Sequence, residues 1–275
     1  MGMDKQPHLN SLEAKVPRLY HYEKFCAEWL TKTLCCQTIR CSDPAKLNDP
    51  WDCKPQFDYR PMANDPKKRD AMLEFYRNTP AGSDMANQPI RQQWEQQVRT
   101  SPTALQSVIE DFSRKLEVEI CKRRLYCLVP APDSILMWSH YADHHRGICL
   151  EFHVVNALFL KAWKVAYCSE YPVWVPQDMQ DIALDVILTK SKDWECEQEF
   201  RIVGTPNGVG HPLKLDGDYL SLPPRALLSV IVGCRGDYEA VRKIVNEHAP
   251  GLAVKRALRT PYHYSLTIED AANSA

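Results

Sequence analysis

Short runs of apolar, β-branched and aromatic residues recur along this chain, and they constrain its fold more than any other feature. Runs of this kind, bounded by turn-forming residues, predict strands, and they lie at 18–22, 37–42, 125–129, 147–152, 162–167, 194–203 and 228–233. These strands outnumber the βαβ units of a doubly wound sheet, and no glycine-rich phosphate loop follows any of them. The sequence therefore predicts an α+β fold with a mixed, mainly antiparallel (split) sheet and flanking helices.

One stretch differs from the strand-rich remainder. Between 66 and 124 the composition shifts to Gln, Arg, Glu and Lys, and the apolar residues recur at helical spacing. This segment is predicted to be a helical insertion. A length of 275 residues suits a single domain, so we expect one α+β domain over 18–270, preceded by a flexible, polar N-terminus at 1–17.

Charge and cysteine usage limit the class of protein. Lysine and arginine total 34 against 35 acidic residues, so no global basic field favours nonspecific nucleic-acid or membrane-surface binding, although a local basic groove stays open. The eleven cysteines are irregularly spaced and form no C-x-x-C pair, which favours reduced thiols over disulfides or a structural zinc site. No signal peptide or membrane span is evident. We expect a cytoplasmic protein with no membrane partner and no metal.

The segment 194–203 concentrates acidic residues at alternate positions. As a strand it would place Trp194, Cys196, Gln198, Phe200 and Ile202 on one face and Glu195, Glu197, Glu199 and Arg201 on the other. Same-face neighbours lie roughly 7 Å apart, so the carboxylates repel unless solvent, the guanidinium or a ligand compensates them. The plain alternative is a half-buried strand that shows its polar side to water. A functional row of carboxylates is preferred, because glutamate is not a favoured strand residue.

A second concentration of functional residue types lies at 134–147. If it begins as a helix, His140 and His144 are four residues apart on one face, as metal ligands can be, but the metalloprotease pattern H-E-x-x-H is absent. The alternative is a helix that ends near 143–146 with His and Arg at its negative pole, followed by Gly147. Trp138 and Tyr141 would then line the core or a pocket.

Two N-terminal segments add candidates. His21 lies between two tyrosines on a short strand and therefore faces away from both, as a structural histidine or a ligand contact. The turn at 47–52 is either a loop capped by its own side chains or a source of polar and stacking contacts from Asn48, Asp49 and Trp51.

Taken together, the segments 19–22, 42–52, 137–147 and 194–201 resemble, in order and spacing, the bacterial domain of unknown function 2971 family over roughly residues 18–235. The chain more distantly resembles the ADP-ribosyltransferase superfamily, whose split sheet carries a His or Arg on its first strand and a catalytic Glu, often in Glu-x-Glu, on a later one. His21 and Glu197-x-Glu199 match these positions. The superfamily's middle motif has no clear counterpart, and Ser42 is the best substitute.

This second resemblance implies a reaction and a set of roles. Glu199 would stabilise an oxocarbenium-like transition state as the bond between nicotinamide and ribose breaks, since an anion placed there lowers the barrier. Glu197 would orient an acceptor or act as a base, and Arg201 would hold the carboxylate or bind phosphate. The predicted residues that bind NAD, which is the substrate, are His21, Tyr22, Ser42, Asn48, Trp138, His140, Tyr141 and Arg201.

Three functions stay open on sequence alone. The first is an ADP-ribosyltransferase-like enzyme, which the resemblance associates with bacterial toxins or phage defence, with a protein or nucleic-acid acceptor. The second is a noncatalytic module that binds a nucleotide or a nucleic-acid end, in which Trp51, Trp138 and Tyr141 stack on a base while Arg146 and Arg201 hold phosphate. The third is a metal-dependent nuclease or hydrolase built on His140, Asp143, His144 and Glu199.

Overall fold

A computed structural model describes residues 9–78, 88–171, 182–207 and 213–270. The helices are α1 (Ala27–Cys36), α2 (Arg60–Asn64), α3 (Pro66–Arg77), α4 (Gln88–Thr100), α5 (Pro102–Cys121), α6 (Ile135–His140), α7 (Ile182–Ile187) and α8 (Tyr238–His248). Shorter 3-10 helices cover Pro44–Lys46, Phe159–Lys161 and Lys192–Glu197. Among the helices in these ranges, none has both the length and the apolar composition that crossing a bilayer demands.

Thirteen strands accompany the helices over the same ranges. They are β1 (Arg18–Glu23), β2 (Thr38–Arg40), β3 (Arg124–Leu128), β4 (Ile148–His153), β5 (Trp163–Lys164), β6 (Ala166–Cys168), β7 (Thr189–Ser191), β8 (Phe200–Thr205), β9 (Leu213–Lys214), β10 (Tyr219–Ser221), β11 (Leu227–Val232), β12 (Ala253–Arg259) and β13 (Leu266–Asp270). Strands β8 and β9 pair in parallel, as do β11 and β12, whereas the pairs β1–β4, β4–β11, β12–β13, β3–β8, β5–β8 and β2–β10 are antiparallel. The predicted α+β fold with mixed, mainly antiparallel sheets is confirmed.

The described residues form two compact units. We call residues 9–46, 123–166, 193–207 and 213–270 the sheet unit, and residues 47–78, 88–122, 167–171 and 182–192 the helical unit. The helices of 60–121 therefore share a unit with a later part of the chain. The single domain over 18–270 with an insertion at 66–124 stays a prediction.

The sheet unit is built on two main sheets and a two-stranded sheet of β2 and β10. The larger main sheet has the order β1-β4-β11-β12-β13, and the smaller main sheet has the order β3-β8-β5 with β9 beside β8. The two sheets meet where Tyr20 and Val129 exchange backbone hydrogen bonds, each 2.8 Å long. This bridge joins β1 of the larger sheet to the end of β3 in the smaller sheet.

Both faces of the larger sheet are covered. Leu150 and Phe152 of β4 belong to one buried cluster, whereas Cys149 of the same strand packs in another with Tyr20 and Tyr22 of β1. Alternate side chains of a strand point to opposite faces, so each face buries its own apolar layer. Burial on both faces explains why these strands read as continuous apolar runs rather than as alternating patterns.

The helical unit has a separate core. Buried residues of α2, α3, α4 and α5 form one cluster, made of Met62, Met72, Leu73, Val98, Leu105 and Ile109. The junction of α4 and α5 is marked by Ser101, whose hydroxyl accepts a hydrogen bond from the Ala104 backbone N–H and caps the start of α5. The helical spacing found in the sequence over this stretch is therefore confirmed as helix.

Part of the N-terminal segment predicted to be flexible is attached to the sheet unit. Residues 1–8 lie outside the described residues. Ser11 is completely buried; its backbone N–H donates to the carbonyl of Ala162 at 2.9 Å, and its hydroxyl donates to the carbonyl of Phe159 at 2.7 Å. These bonds hold the described residues that precede β1.

Candidate functional site

The acidic segment does not form the predicted ten-residue strand. Residues Lys192–Glu197 form a 3-10 helix, Gln198 has a left-handed backbone with φ of 50°, and β8 begins only at Phe200. The strand prediction is therefore wrong over 194–199. Lysine, aspartate and glutamate are disfavoured in strands, and the left-handed residue breaks any ladder that would extend β8 toward its N-terminus.

Because this backbone is not a strand, the acidic side chains of the segment differ in how exposed they are. Glu195 is exposed, whereas Glu197 and Glu199 are only 5% and 3% exposed and Arg201 is completely buried. A polar strand face that is simply solvated would leave such groups in water. The solvated-strand alternative is therefore wrong for Glu197, Glu199 and Arg201, because burying charged groups is costly unless each one is paired.

Glu199 and Arg201 form a two-point ion pair. The Nε and Nη2 atoms of Arg201 donate to the two carboxylate oxygens of Glu199, each at 2.8 Å. This parallel geometry is the strong, oriented form of a guanidinium–carboxylate contact. The side chain of Arg201 thus fixes the orientation of the Glu199 carboxylate.

Glu197 has a different partner, supplied by the end of α6. The hydroxyl of Tyr141, the residue that follows α6, donates to Oε1 of Glu197 at 2.6 Å. Next to it, the His140 ring lies 6.2 Å from the Trp194 ring, between centroids, at an interplanar angle of 73°. Tyr141 and Trp194 are half-buried and His140 is exposed, so part of each ring is accessible beside the buried Glu197.

Strand register decides which residues share this side. Cys127 of β3 lies directly opposite Arg201 of β8, and Tyr126 lies opposite Ile202. Paired residues of an antiparallel ladder project to the same face, so Cys127 and Arg201 share one face and Tyr126 projects to the other. Val129, two residues after Cys127, packs with the apolar cluster next to Tyr141. The carboxylates, Tyr141 and this cluster therefore lie on one side of β3.

Two predicted NAD contacts, Tyr22 and Trp138, belong to that cluster. Trp138 is completely buried and donates its indole N–H to the carbonyl of Pro132 at 2.8 Å. Tyr22 packs edge-on against it with ring centroids 5.0 Å apart. These rings leave little free face for a ligand in this structure. They support α6, which carries His140 and places Tyr141.

His21 lies on the other side of β3. Its ring stacks on Tyr126 at 4.1 Å between centroids, and its Nδ1 donates to the carbonyl of Cys127 at 2.7 Å, since a carbonyl oxygen only accepts. Burial lowers the pKa of His21 to about 4, against which the bond to the Cys127 carbonyl acts. The structure thus places a neutral His21 and the Glu199–Arg201 pair against opposite faces of β3, so it does not bring them together.

Beside His21 is a small cavity of about 20 Å³, whose lining sequence reasoning missed. Glu23, Trp29, Arg40 and Tyr219 are part of that lining, and the buried Tyr126 hydroxyl at its wall has no hydrogen-bond partner among the described residues. Burial raises the pKa of Glu23 to about 7, opposed by the charge of Arg40. No sequence motif marks this cavity, because it forms where α1 and β2 approach β1 and β3.

Ser42 and Asn48 belong to different units. Ser42 exchanges backbone hydrogen bonds with Leu125 of β3, at 2.7 and 2.9 Å, which puts it on the same face of β3 as Arg201. Asn48 belongs to the helical unit. In that unit Asp52 lies 3.8 Å from the buried ammonium of Lys190.

The proposed metal-ligand geometry is not present in the described residues. Helix α6 ends at His140, and Asp143, His144 and His145 follow with left-handed backbones at φ of 45°, 54° and 69°. His140 and His144 are therefore not one helical turn apart. Across the described ranges, no three His, Cys, Asp or Glu side chains converge as metal ligands would.

Comparison of the chain with protein-family models, with curated proteins and with solved structures finds no match.

Proposed function

We propose that this protein is an ADP-ribosyltransferase-like enzyme that cleaves the bond between nicotinamide and ribose in NAD. The observation that carries the proposal is the pair of buried carboxylates two residues apart, Glu197 and Glu199, each held by its own partner. Cleavage of this bond builds positive charge on the ribose. A carboxylate fixed in advance, in a site that excludes water, stabilises that charge without reorganisation.

In this proposal the Glu199 carboxylate, oriented by its two bonds from Arg201, stabilises the cation that develops on the ribose. Arg201 is then a positioning residue, and Glu199 is the group that acts on the reacting atoms.

Glu197 suits the second carboxylate role. The hydroxyl of Tyr141 orients the Glu197 carboxylate through Oε1, and in this proposal that carboxylate accepts a proton from the acceptor nucleophile, as a general base does. We further propose that the acceptor of the ADP-ribose is a protein or a nucleic acid, and that the enzyme acts in phage defence or as a toxin. His140, Tyr141 and Trp194 would contact the nicotinamide or the nucleotide.

The test measures release of nicotinamide from NAD by the purified full-length protein. Glu199→Gln keeps the shape of the side chain and removes its charge, and we expect a loss of about 100-fold or more, the scale on which a positioned electrostatic group acts. Glu195→Gln is the matched control, because it makes the same change on an exposed residue of the same segment. The control should keep full activity. Glu199→Gln removes the charge that pairs with the buried Arg201 and should lower the melting temperature, so both variants are assayed below their own melting temperatures. Activity retained by Glu199→Gln rejects the proposal.

A second candidate is a noncatalytic module that binds a nucleotide or a nucleic-acid end. The observation in its favour is that Arg201 already neutralises Glu199 within the fold, as a purely structural pair would. This candidate predicts that calorimetry detects saturable binding of NAD or ADP-ribose without nicotinamide release. Glu199→Gln would then change affinity only modestly.

A further inference from the structure

Helices α3 and α4 of the helical unit carry an excess of positive charge. Over these two helices there are six lysines and arginines against three acids. The next helix, α5, contains two basic and four acidic residues. The basic excess is thus local to α3 and α4, although the whole chain has a net charge of −1.

A buried carboxylate organises the centre of this basic surface. Arg91, Glu95 and Arg99 lie four residues apart along one face of α4. Arg77 reaches across from α3 with Nε 2.7 Å from Oε1 of Glu95 and a second, parallel contact through Nη2. The distances from the carboxylate to Nε of Arg91 and Nη1 of Arg99 are both 3.5 Å. One carboxylate therefore gathers three guanidinium groups.

The arrangement leaves positive charge at the surface. The side chain of Glu95 is 7% exposed, whereas those of Arg77, Arg91 and Arg99 are 36%, 30% and 38% exposed. Asp70 takes a further bond from Arg99, while Arg69 donates to backbone carbonyls, including those of Met62 and Ala63. The set of four arginines and two acids thus carries a net charge of +2.

The outer face of α4 is compatible with an anionic partner. Glu95 is the only acid among its thirteen residues, and it is buried. The exposed positions include the uncharged donors Gln92, Gln93, Gln96 and Gln97. No exposed carboxylate on α4 would therefore repel a phosphate, and guanidinium and amide groups are both common phosphate donors.

We propose that this surface of α3 and α4, centred on Arg77, Arg91 and Arg99, binds the phosphodiester backbone of a nucleic acid. Glu95 holds the arginines in a fixed array, which reduces the side-chain entropy lost on binding. A polynucleotide suits the array because its phosphates are evenly spaced charges. Affinity should depend on salt and little on base sequence.

The test is fluorescence anisotropy with short labelled single-stranded DNA, single-stranded RNA and duplex DNA over a range of salt concentrations. Arg91→Ala removes the arginine whose contact with Glu95 is a single distance of 3.5 Å. We expect this variant to bind about fivefold more weakly at ~0.15 M salt, with the slope of log K against log salt reduced by about 1. Arg91→Lys keeps the charge and should restore most of the binding.

Arg114→Ala is the matched control, because Arg114 is a 76% exposed arginine on the acidic helix α5 of the same unit. It should bind like the wild type. Equal effects of Arg91→Ala and Arg114→Ala with unchanged melting temperatures, absence of binding by the wild type, or binding to a phosphopeptide but to no polynucleotide would each overturn the proposal. Binding to any of the three polynucleotides that weakens with salt and with Arg91→Ala, but not with Arg114→Ala, supports the proposal. Because nicotinamide release is measured separately, failure here and failure of the NAD proposal are distinguishable.

Discussion

Replacing Glu151 with glutamine is predicted to destabilise the protein by about 2–4 kcal/mol at neutral pH. Glu151 lies on β4 between β1 and β11, and it is 1% exposed. Its Oε2 accepts from the hydroxyl of Ser229 at 2.5 Å and from the ammonium of Lys255 at 2.9 Å, and its Oε1 accepts from Arg18 and from the Tyr20 hydroxyl. One carboxylate thus binds side chains from three other strands of the same sheet, β1, β11 and β12.

The magnitude follows from the atoms that glutamine changes. Glutamine keeps one acceptor oxygen and replaces the other with an NH₂ group. That group cannot accept a hydrogen bond, although it would lie against two of the donors that bind Glu151. The favoured rotamer keeps the oxygen toward the buried Ser229, so the bond with Arg18 is lost and the attraction to Lys255 is weakened. A hydrogen bond to a charged group contributes about 1.5–3 kcal/mol. Arg18 is 51% exposed, so water replaces its bond to Glu151 in the variant. The total loss of stability is therefore near the lower end of the range for two such bonds.

The pH dependence has a definite sign. Burial acts to raise the pKa of Glu151, but the hydrogen bonds from Ser229 and Lys255 and the charge of Lys255 outweigh it, so the pKa lies below its ordinary value of 4.5. A carboxyl group with a depressed pKa in the folded state contributes stability that is complete above the pKa of the unfolded state. That contribution is lost as the pH falls through the folded value. The difference between wild type and Glu151→Gln should therefore shrink below about pH 4.5.

Urea denaturation followed by circular dichroism measures both effects. Arg18→Ala is the comparison variant, since it removes the half-exposed partner and should cost no more than about 1 kcal/mol. A Glu151→Gln variant within 0.5 kcal/mol of wild type at neutral pH, roughly the spread of ordinary surface substitutions, would refute the reasoning. A stability gap that stays constant through the acid range would also refute it.

Two further predictions concern backbone space and a buried histidine. Gly147→Ala should destabilise by more than about 2 kcal/mol in thermal or urea unfolding, because its Cβ would lie 2.2 Å from the carbonyl oxygen of Glu23. Gly217→Ala meets no atom within 4 Å and should cost only the roughly 1 kcal/mol of its left-handed φ of 58°, so equal losses would contradict the steric argument. In an NMR pH titration the His21 ring should change protonation near pH 4, because burial opposes its charged form; a midpoint near 6.5 would show that the ring is solvated.

The strands of the sheet unit could be predicted because the signal for them is local. Apolar runs identified β4 and β11 to within one residue at each end, since these strands are buried on both faces and need no alternation. The alternation around His21 also predicted correctly that this side chain faces away from Tyr20 and Tyr22, which pack in a separate cluster. Where neighbouring residues alone determine the environment, the sequence sufficed.

The acidic segment shows where local periodicity failed. Alternate glutamates suggested a strand, but the 3-10 helix at Lys192–Glu197 aligns residues three apart, so Trp194 lies over Glu197. The signal against a strand was the density of Lys, Asp and Glu, which are disfavoured there. Only Glu199 and Arg201, at the start of β8, keep the predicted spacing of two and its consequence, the ion pair.

The side of β3 on which each candidate lies could not be predicted from the sequence, because it depends on long-range strand pairing. Cys127 lies opposite Arg201, so the adjacent Tyr126, with the His21 ring stacked on it, lies on the other face of β3. At the end of β3 the two hydrogen bonds between Tyr20 and Val129 join the two sheets, so a ligand cannot pass between β1 and β3 at that point while the bridge is intact.

This separation changes which residues an NAD-cleaving enzyme of this shape would use. The resemblance implies that His21 contacts the ribose. In the structure, however, the Nδ1–H of His21 donates a hydrogen bond to the Cys127 carbonyl, and the ring packs on the opposite face of β3 from Glu199. The side that holds Glu199 offers Tyr141, whose hydroxyl already binds Glu197 and whose ring is half-exposed. If the carboxylates act on NAD, the ribose and nicotinamide contacts therefore fall to the end of α6 rather than to β1.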